Sequence, residues 1–234
     1  MIAANVDPAE TARFDRLAAS WWDADGESRP LHDLNPLRLA YIAEHARLKG
    51  ACALDVGCGG GLLSEALARA SAKVTAIDLA PKVLDVARLH LYESGLDVDY
   101  RETSVESLAR EMPVQFDVIT CMELLEHVPD PSSVIGACAT LLRPGGQLFL
   151  STLNRTPLAF AAAIIGAEHV LRLLPRGTHH YAQFLKPSEL AAALRAAGLA
   201  IDDLRGIAYN PFTRTARFDT NVDVNYLLCA SKPA

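Results

Sequence analysis

From residue 51 onwards, short apolar runs alternate with stretches in which apolar residues recur every three or four positions. Short apolar runs predict strands buried on both faces, and the three-to-four spacing predicts amphipathic helices. Read in this way, strands fall over 51–56, 73–78, 98–102, 116–121 and 147–152, with helices over 62–70, 82–93 and 132–142. Arg143-Pro144-Gly145-Gly146 stops the last of these helices and turns into the next strand. After an interruption at 154–186, a helix over 188–197 and strands near 200–207 and 223–230 follow. Strands alternating with helices predict a doubly wound, mostly parallel seven-stranded α/β sheet, with an antiparallel strand near the C-terminus.

Ahead of the first strand the pattern is helical only. Asp7-Pro8-Ala9-Glu10 carries an N-cap, a first-turn proline and a reciprocal acid, and Phe14, Leu17, Ala18 and Trp21 follow at helical spacing. Residues 22–32 read as loop, and Asn35-Pro36 starts a second helix running to about Arg47. The expected organisation is one domain over 1–234, with 1–48 as a helical cover and 154–186 as a helical insertion or lid. No internal repeat or low-complexity tract interrupts it.

Composition narrows the function. The 234 residues are half apolar, enough for a substantial core, and the net charge of −6 supplies no basic field for nucleic acid. The five cysteines form no C-x-x-C pair and lie mostly in apolar patterns, which points to reduced thiols in a reducing compartment. The first residues lack the basic start and apolar core of a signal peptide, and no run reaches the roughly 20 apolar residues of a membrane span, so a cytoplasmic location is expected.

The chemistry concentrates after the first strand. Asp55-Val56-Gly57-Cys58-Gly59-Gly60-Gly61 joins strand to helix, and Asp78 ends the second strand 21 residues after Gly57. Glycines there let the backbone approach a ligand, and a carboxylate at that position can accept both hydroxyls of a ribose. The spacing is G-x-G-x-G: Leu62 and Ser64 stand where a dinucleotide fingerprint would need its last glycine. An NAD(P) oxidoreductase is thereby disfavoured. Past the fourth strand, Glu123, Glu126 and His127 are spaced so that one helical turn would gather two carboxylates and an imidazole, enough to hold a divalent cation.

Several longer motifs agree. Trp21-Trp22-Asp23, Asn35-Pro36-Leu37-Arg38, the glycine turn, Cys121-Met122-Glu123-Leu124-Leu125-Glu126-His127, Ser151-Thr152-Leu153-Asn154-Arg155 and Val222-Asp223-Val224-Asn225-Tyr226 resemble the ubiquinone-biosynthesis O-methyltransferases nearly end to end. The resemblance implies a Rossmann-like class I methyltransferase fold with S-adenosylmethionine (SAM) as cofactor. It implies methylation of ring hydroxyls of polyprenylated catechols or hydroquinones, namely 2-polyprenyl-6-hydroxyphenol and 3-demethylubiquinol. By the same resemblance Arg38, Gly57, Asp78 and Met122 contact the cofactor, and Asp55, Gly59, Leu79, Ser104 and Val105 complete the expected set. It also implies metal dependence for the eukaryotic members at Glu123, Glu126 and His127, with Mg²⁺, Zn²⁺ or Mn²⁺ as the ion. Without a metal, His127 leads as general base, Glu126 stands beside it, and His179 and His180 are distant alternatives.

The run from Leu158 to Pro175 is apolar at first and then mixed with Glu168, His169 and Arg172. It is too short and charged to span a bilayer. It suits an amphipathic element on an anionic membrane surface, a lid over an apolar substrate tail, or a helix packed on the protein's own core. Peripheral attachment to the inner face of the membrane, and contact with other ubiquinone-biosynthesis proteins, are expectations of this kind. The alternatives are a quinone C-methyltransferase and a non-catalytic membrane-peripheral subunit.

Overall fold

The computed structural model describes residues 5–161 and 181–234. Its centre is an eight-stranded sheet in the order β3-β2-β1-β4-β5-β8-β6-β7. The strands are β1 (Cys52–Val56), β2 (Lys73–Asp78), β3 (Val98–Glu102), β4 (Phe116–Met122), β5 (Leu142–Leu153), β6 (Ala200–Asn210), β7 (Thr215–Asp219) and β8 (Asn225–Ser231). β1 to β5 pair in parallel, whereas β8 runs antiparallel to β5 and β6, and β7 antiparallel to β6.

The helices are α1 (Pro8–Leu17), α2 (Arg29–His45), α3 (Leu62–Arg69), α4 (Pro81–Ser94), α5 (Val105–Glu111), α6 (Pro131–Leu141), a short turn α7 (Pro157–Ala159) and α8 (Pro187–Ala196). α5, α6 and α8 pack on one face of the sheet, where Leu108, Ile135, Leu190, Ile119 and Leu150 form one apolar layer. The other face buries Ile42, Leu67, Leu84, Val118 and Phe149 under α2, α3 and α4. Alternate residues of β4 feed the two layers, Ile119 and Cys121 one side, Val118 and Met122 the other, as the period of a strand demands.

Four differences from the expectation have physical causes. The sheet has eight strands because residues 200–219 form a hairpin, β6–β7, whose outer strand is short and polar. Its turn is tied to the N-terminal region: Arg214 pairs with Asp25 and Asp33, and Tyr209 Oη donates to Asp33 at 2.6 Å. α2 starts at Arg29, ahead of Asn35-Pro36, because Pro30 already occupies the first turn where a missing N–H costs nothing. Pro36 lies inside that helix. No helix is expected between the third and fourth strands, where α5 stands; it is only seven residues long, capped by Ser104, whose hydroxyl accepts from Ser107 N–H at 3.2 Å. β5 begins at Leu142 because that residue already pairs with Phe116 across a bulge.

The strand order reverses between β1 and β4. In an open α/β sheet the crevice beyond the carboxyl ends of the strands at such a reversal is where ligands bind. Asp55 and Gly57 leave one side of this crevice and Met122 and Glu123 the other.

Candidate functional site

The turn after β1 is fastened to the end of β2 before any ligand is considered. Gly57 N–H and Cys58 N–H both donate to the carbonyl of Ile77, at 2.9 and 3.0 Å. Gly59 has φ +52°, a left-handed conformation that L side chains rarely adopt, and a Cβ there would run into the Trp21 ring. Asp78 Oδ2 accepts from Gly59 N–H and Oδ1 from Ala80 N–H, each at 2.9 Å. Burial raises its pKa, against the lowering by these backbone hydrogen bonds. Each carboxylate oxygen keeps a second lone pair for a ligand hydroxyl. Beneath the turn, Asp55 is buried and receives Ser64 Oγ at 2.6 Å and Thr120 Oγ1 at 2.7 Å. Burial lifts its pKa from 3.8 to about 6, outweighing those two hydroxyls.

A cavity of about 230 Å³ opens over this turn. Gly57, Gly59, Asp78 and Leu79 line one wall, Ser104 and Val105 the side at the start of α5, and Arg38 and Met122 the side of α2 and β4. Asp55 reaches the cavity from below. The structure thus brings every residue expected to hold a cofactor to one space.

The Glu123, Glu126 and His127 cluster is not assembled. Glu123 has φ +52°, which breaks the helical register needed to align it with Glu126, and its carboxylate pairs with Arg38. Glu126 turns the other way, into the protein: it is buried, accepts from Thr152 Oγ1 at 2.9 Å, and does not line the cavity. Burial raises its pKa, more than the nearby imidazole of His127 lowers it. His127 lines the cavity and its Nδ1 lies 2.8 Å from Glu10 Oε2. Among the described residues no group of three or more His, Cys, Asp or Glu could hold a metal ion. The expectation of a three-residue metal site is therefore corrected: one motif sends its three side chains to three different partners. Glu126, expected beside the reacting groups, belongs to the protein interior. His179 and His180, and most of the 158–175 run, lie outside the described residues.

Sequence reasoning missed the contribution of the N-terminal helix. Glu10, read as a capping acid, is buried and lines the cavity with Phe14 and Trp21. Asp7 caps the helix as expected, its carboxylate accepting from Ala9 N–H at 2.8 Å. A signal was present: residues 10, 14, 17 and 21 share a helical face, and an acid on an otherwise apolar stripe needs a buried partner.

Known proteins place the chain in a family. A methyltransferase-domain family matches residues 29–204. The ubiquinone biosynthesis O-methyltransferase of Xanthomonas euvesicatoria pv. vesicatoria is 60% identical over 231 residues, covering 99% of this chain and 97% of that protein. The protein of the same name from Azotobacter vinelandii is 60% identical over 96% of this chain and 97% of its own length.

The chain belongs to the ubiquinone biosynthesis O-methyltransferase family.

In structure, this methyltransferase superposes on magnesium protoporphyrin IX methyltransferase from Synechocystis PCC 6803 with bound SAH, at TM-score 0.69 and 21% identity, covering 95% of this chain and 99% of that one. The same neighbour with bound SAM gives a TM-score of 0.65 at 18% identity, covering 98% and 99%. At such identities the likeness concerns the fold alone, and the fold is the Rossmann-like one expected of class I methyltransferases.

Proposed function

We propose that this methyltransferase transfers the methyl group of SAM to a ring hydroxyl of a polyprenylated catechol or hydroquinone in ubiquinone synthesis. The observation that carries the reading is one cavity lined both by the glycine turn and Asp78 and by His127. SAM fits the residues present. Asp78 has lone pairs for the ribose hydroxyls, and Gly57 and Gly59 admit close backbone approach. Ser104 and Val105 would border the adenine, and Met122, a soft, adaptable side chain, would pack against the cofactor. Arg38 suits the carboxylate of the amino-acid end, and its buried Nε has no hydrogen-bond partner among the described residues. When bound, SAM supplies an electrophilic methyl on a sulfonium.

The remaining work is to hold and deprotonate the acceptor. A phenolic hydroxyl with a pKa near 10 is mostly protonated at neutral pH. His127 takes that proton as the oxygen attacks, and the cavity wall excludes water from the reacting atoms. A divalent cation is assigned no step, because Glu123, Glu126 and His127 do not converge.

The test is transfer of labelled methyl from SAM to a short-tailed catechol, with and without chelator. O-methylated product from chelated enzyme supports the reading. Label on a ring carbon would make the protein a C-methyltransferase, and loss of turnover restored by Mg²⁺, Zn²⁺ or Mn²⁺ would return a metal to the mechanism. Because a polyprenyl tail keeps the acceptor in a bilayer, we place the enzyme peripherally on the inner membrane face. Among the described residues no helix is long and apolar enough to cross a membrane. Replacing Ile164 and Ile165 with Glu should abolish binding to anionic liposomes; unchanged sedimentation would remove the membrane role.

A further inference from the structure

We propose that Glu10, on the N-terminal helix, is a positioning residue for His127, holding the imidazole in the tautomer that leaves its Nε2 lone pair for the substrate proton. The inference rests on the reading of His127 as general base and extends the active site to a helix that sequence treats as a cover.

Glu10 Oε2 lies 2.8 Å from His127 Nδ1, and Arg13 Nη1 reaches both Glu10 oxygens, at 3.0 and 3.2 Å. Phe14, one turn along the same helix, presents an edge-to-face contact to the imidazole with ring centroids 5.3 Å apart. Glu10 is 8% exposed and His127 also 8%, so the pair is desolvated, and both line the cavity. A buried carboxylate is costly to keep unless it does something an apolar side chain cannot. An ionised carboxylate can only accept, so Nδ1 must carry a hydrogen, and in the neutral ring the lone pair is then on Nε2.

A second contact fixes the helix to the loop that carries the imidazole. Asn5 Nδ2 donates to the carbonyl of Asp130, and Asp130 N–H donates to Asn5 Oδ1, both at 2.8 Å. Asn5 Nδ2 also reaches Glu106 Oε1 at 2.9 Å. The clasp holds the residues just before α1 against the chain three residues past His127, so Glu10 and His127 are registered by the Asn5 side chain on the Asp130 backbone as well as by their own bond.

In the step itself the acceptor O–H bond breaks, its proton forms the Nε2–H bond, and the oxygen electron pair forms the O–CH₃ bond as the S–CH₃ bond breaks. The pair of electrons from that bond stays on sulfur. The imidazolium left behind is flanked by the Glu10 carboxylate, which compensates its charge without itself taking the proton, the arrangement seen wherever a carboxylate orients a catalytic histidine.

The test combines ¹⁵N-edited NMR of the His127 ring with kinetics of Glu10→Gln, Glu10→Asp and His127→Ala. In the wild type, neutral His127 should be the Nδ1–H tautomer, and Glu10→Gln should lose that preference. Glu10→Gln should lower kcat about 10- to 1000-fold while leaving KM and SAM affinity within about threefold, and Glu10→Asp should recover part of the loss. An Nε2–H tautomer in the wild type overturns the proposal, and that spectrum needs no variant to fold. A Glu10→Gln enzyme with wild-type kcat overturns it too, while a dead His127→Ala beside it shows that the base reading survives alone. If His127→Ala keeps near wild-type kcat, the base reading fails first. Broadening of the His127 ring signals by stoichiometric Mn²⁺, together with metal rescue of chelated enzyme, would make the imidazole a ligand and end the proposal.

Discussion

Asp78 and His127 face the same cavity, yet they are held there by different means. Asp78 is fixed by two backbone N–H groups, from Gly59 in the adjacent turn and from Ala80 two residues on. His127 is fixed by a carboxylate from a helix that precedes the whole sheet. The first arrangement follows from the strand–turn–helix path and persists wherever that path folds. The second depends on single side chains meeting across the tertiary structure, so each can be removed without unravelling its surroundings. The glycine wall should therefore respond to substitution in cofactor affinity, and the His127 wall in turnover.

The largest effect should come from His127. His127→Ala is expected to lower kcat by about 10²- to 10⁴-fold, the usual contribution of a positioned base, with SAM affinity nearly unchanged in calorimetry. A comparable loss of SAM binding would mean that the two walls are not separate.

Asp55 sharpens the comparison through pH. Its folded pKa of about 6 exceeds the unfolded value of 3.8, because burial outweighs its two hydroxyl donors. The folded state binds this proton more tightly, so the associated stability is complete below 3.8 and is lost as pH rises through about 6. Two pKa units correspond to about 3 kcal/mol. Asp55→Asn cannot titrate, so its stability relative to wild type should improve by up to that amount between about pH 4 and pH 7 in denaturant titrations. A difference that stays flat with pH would place the proton elsewhere.

Next is Asp78→Ala, expected to weaken SAM binding by about 1.5–3 kcal/mol, the range for hydrogen bonds to a charged group. The thermal melt should fall as well, since Gly59 and Ala80 lose their acceptor. Unchanged SAM affinity in a folded variant would remove Asp78 from the cofactor wall.

These walls were unequally legible in the sequence. The glycine turn, Asp78 and the strands around them follow local rules: period, turn chemistry and a carboxylate at a strand end. The Glu123, Glu126 and His127 spacing also looked local, and a helical turn would have gathered the three. What redirected them is not local: the left-handed backbone at Glu123, Arg38 from α2, Thr152 from β5 and Glu10 from α1. The missed hairpin strand β7 is of the same kind, tied by Arg214 and Tyr209 to acids far away in sequence. Glu10 itself sat in view, one acid on an apolar stripe, but nothing nearby named the histidine it would meet.

The smallest expected effect is the most discriminating about that divergence. Glu126 shares a motif with His127 but is turned into the interior, where Thr152 Oγ1 donates to it. Its folded pKa is raised by burial, so ionising it costs stability as pH rises through that value. Glu126→Gln keeps an oxygen for Thr152 and removes the ionisation. The variant should gain stability relative to wild type as pH increases, with kcat within about threefold of wild type. A carboxylate that took part in proton transfer or held a metal could not be replaced so cheaply, because an amide neither accepts a proton near neutral pH nor binds a divalent cation with comparable strength. A loss of turnover beyond tenfold, with the fold intact, would bring Glu126 back beside His127 and show that the motif acts as a unit after all.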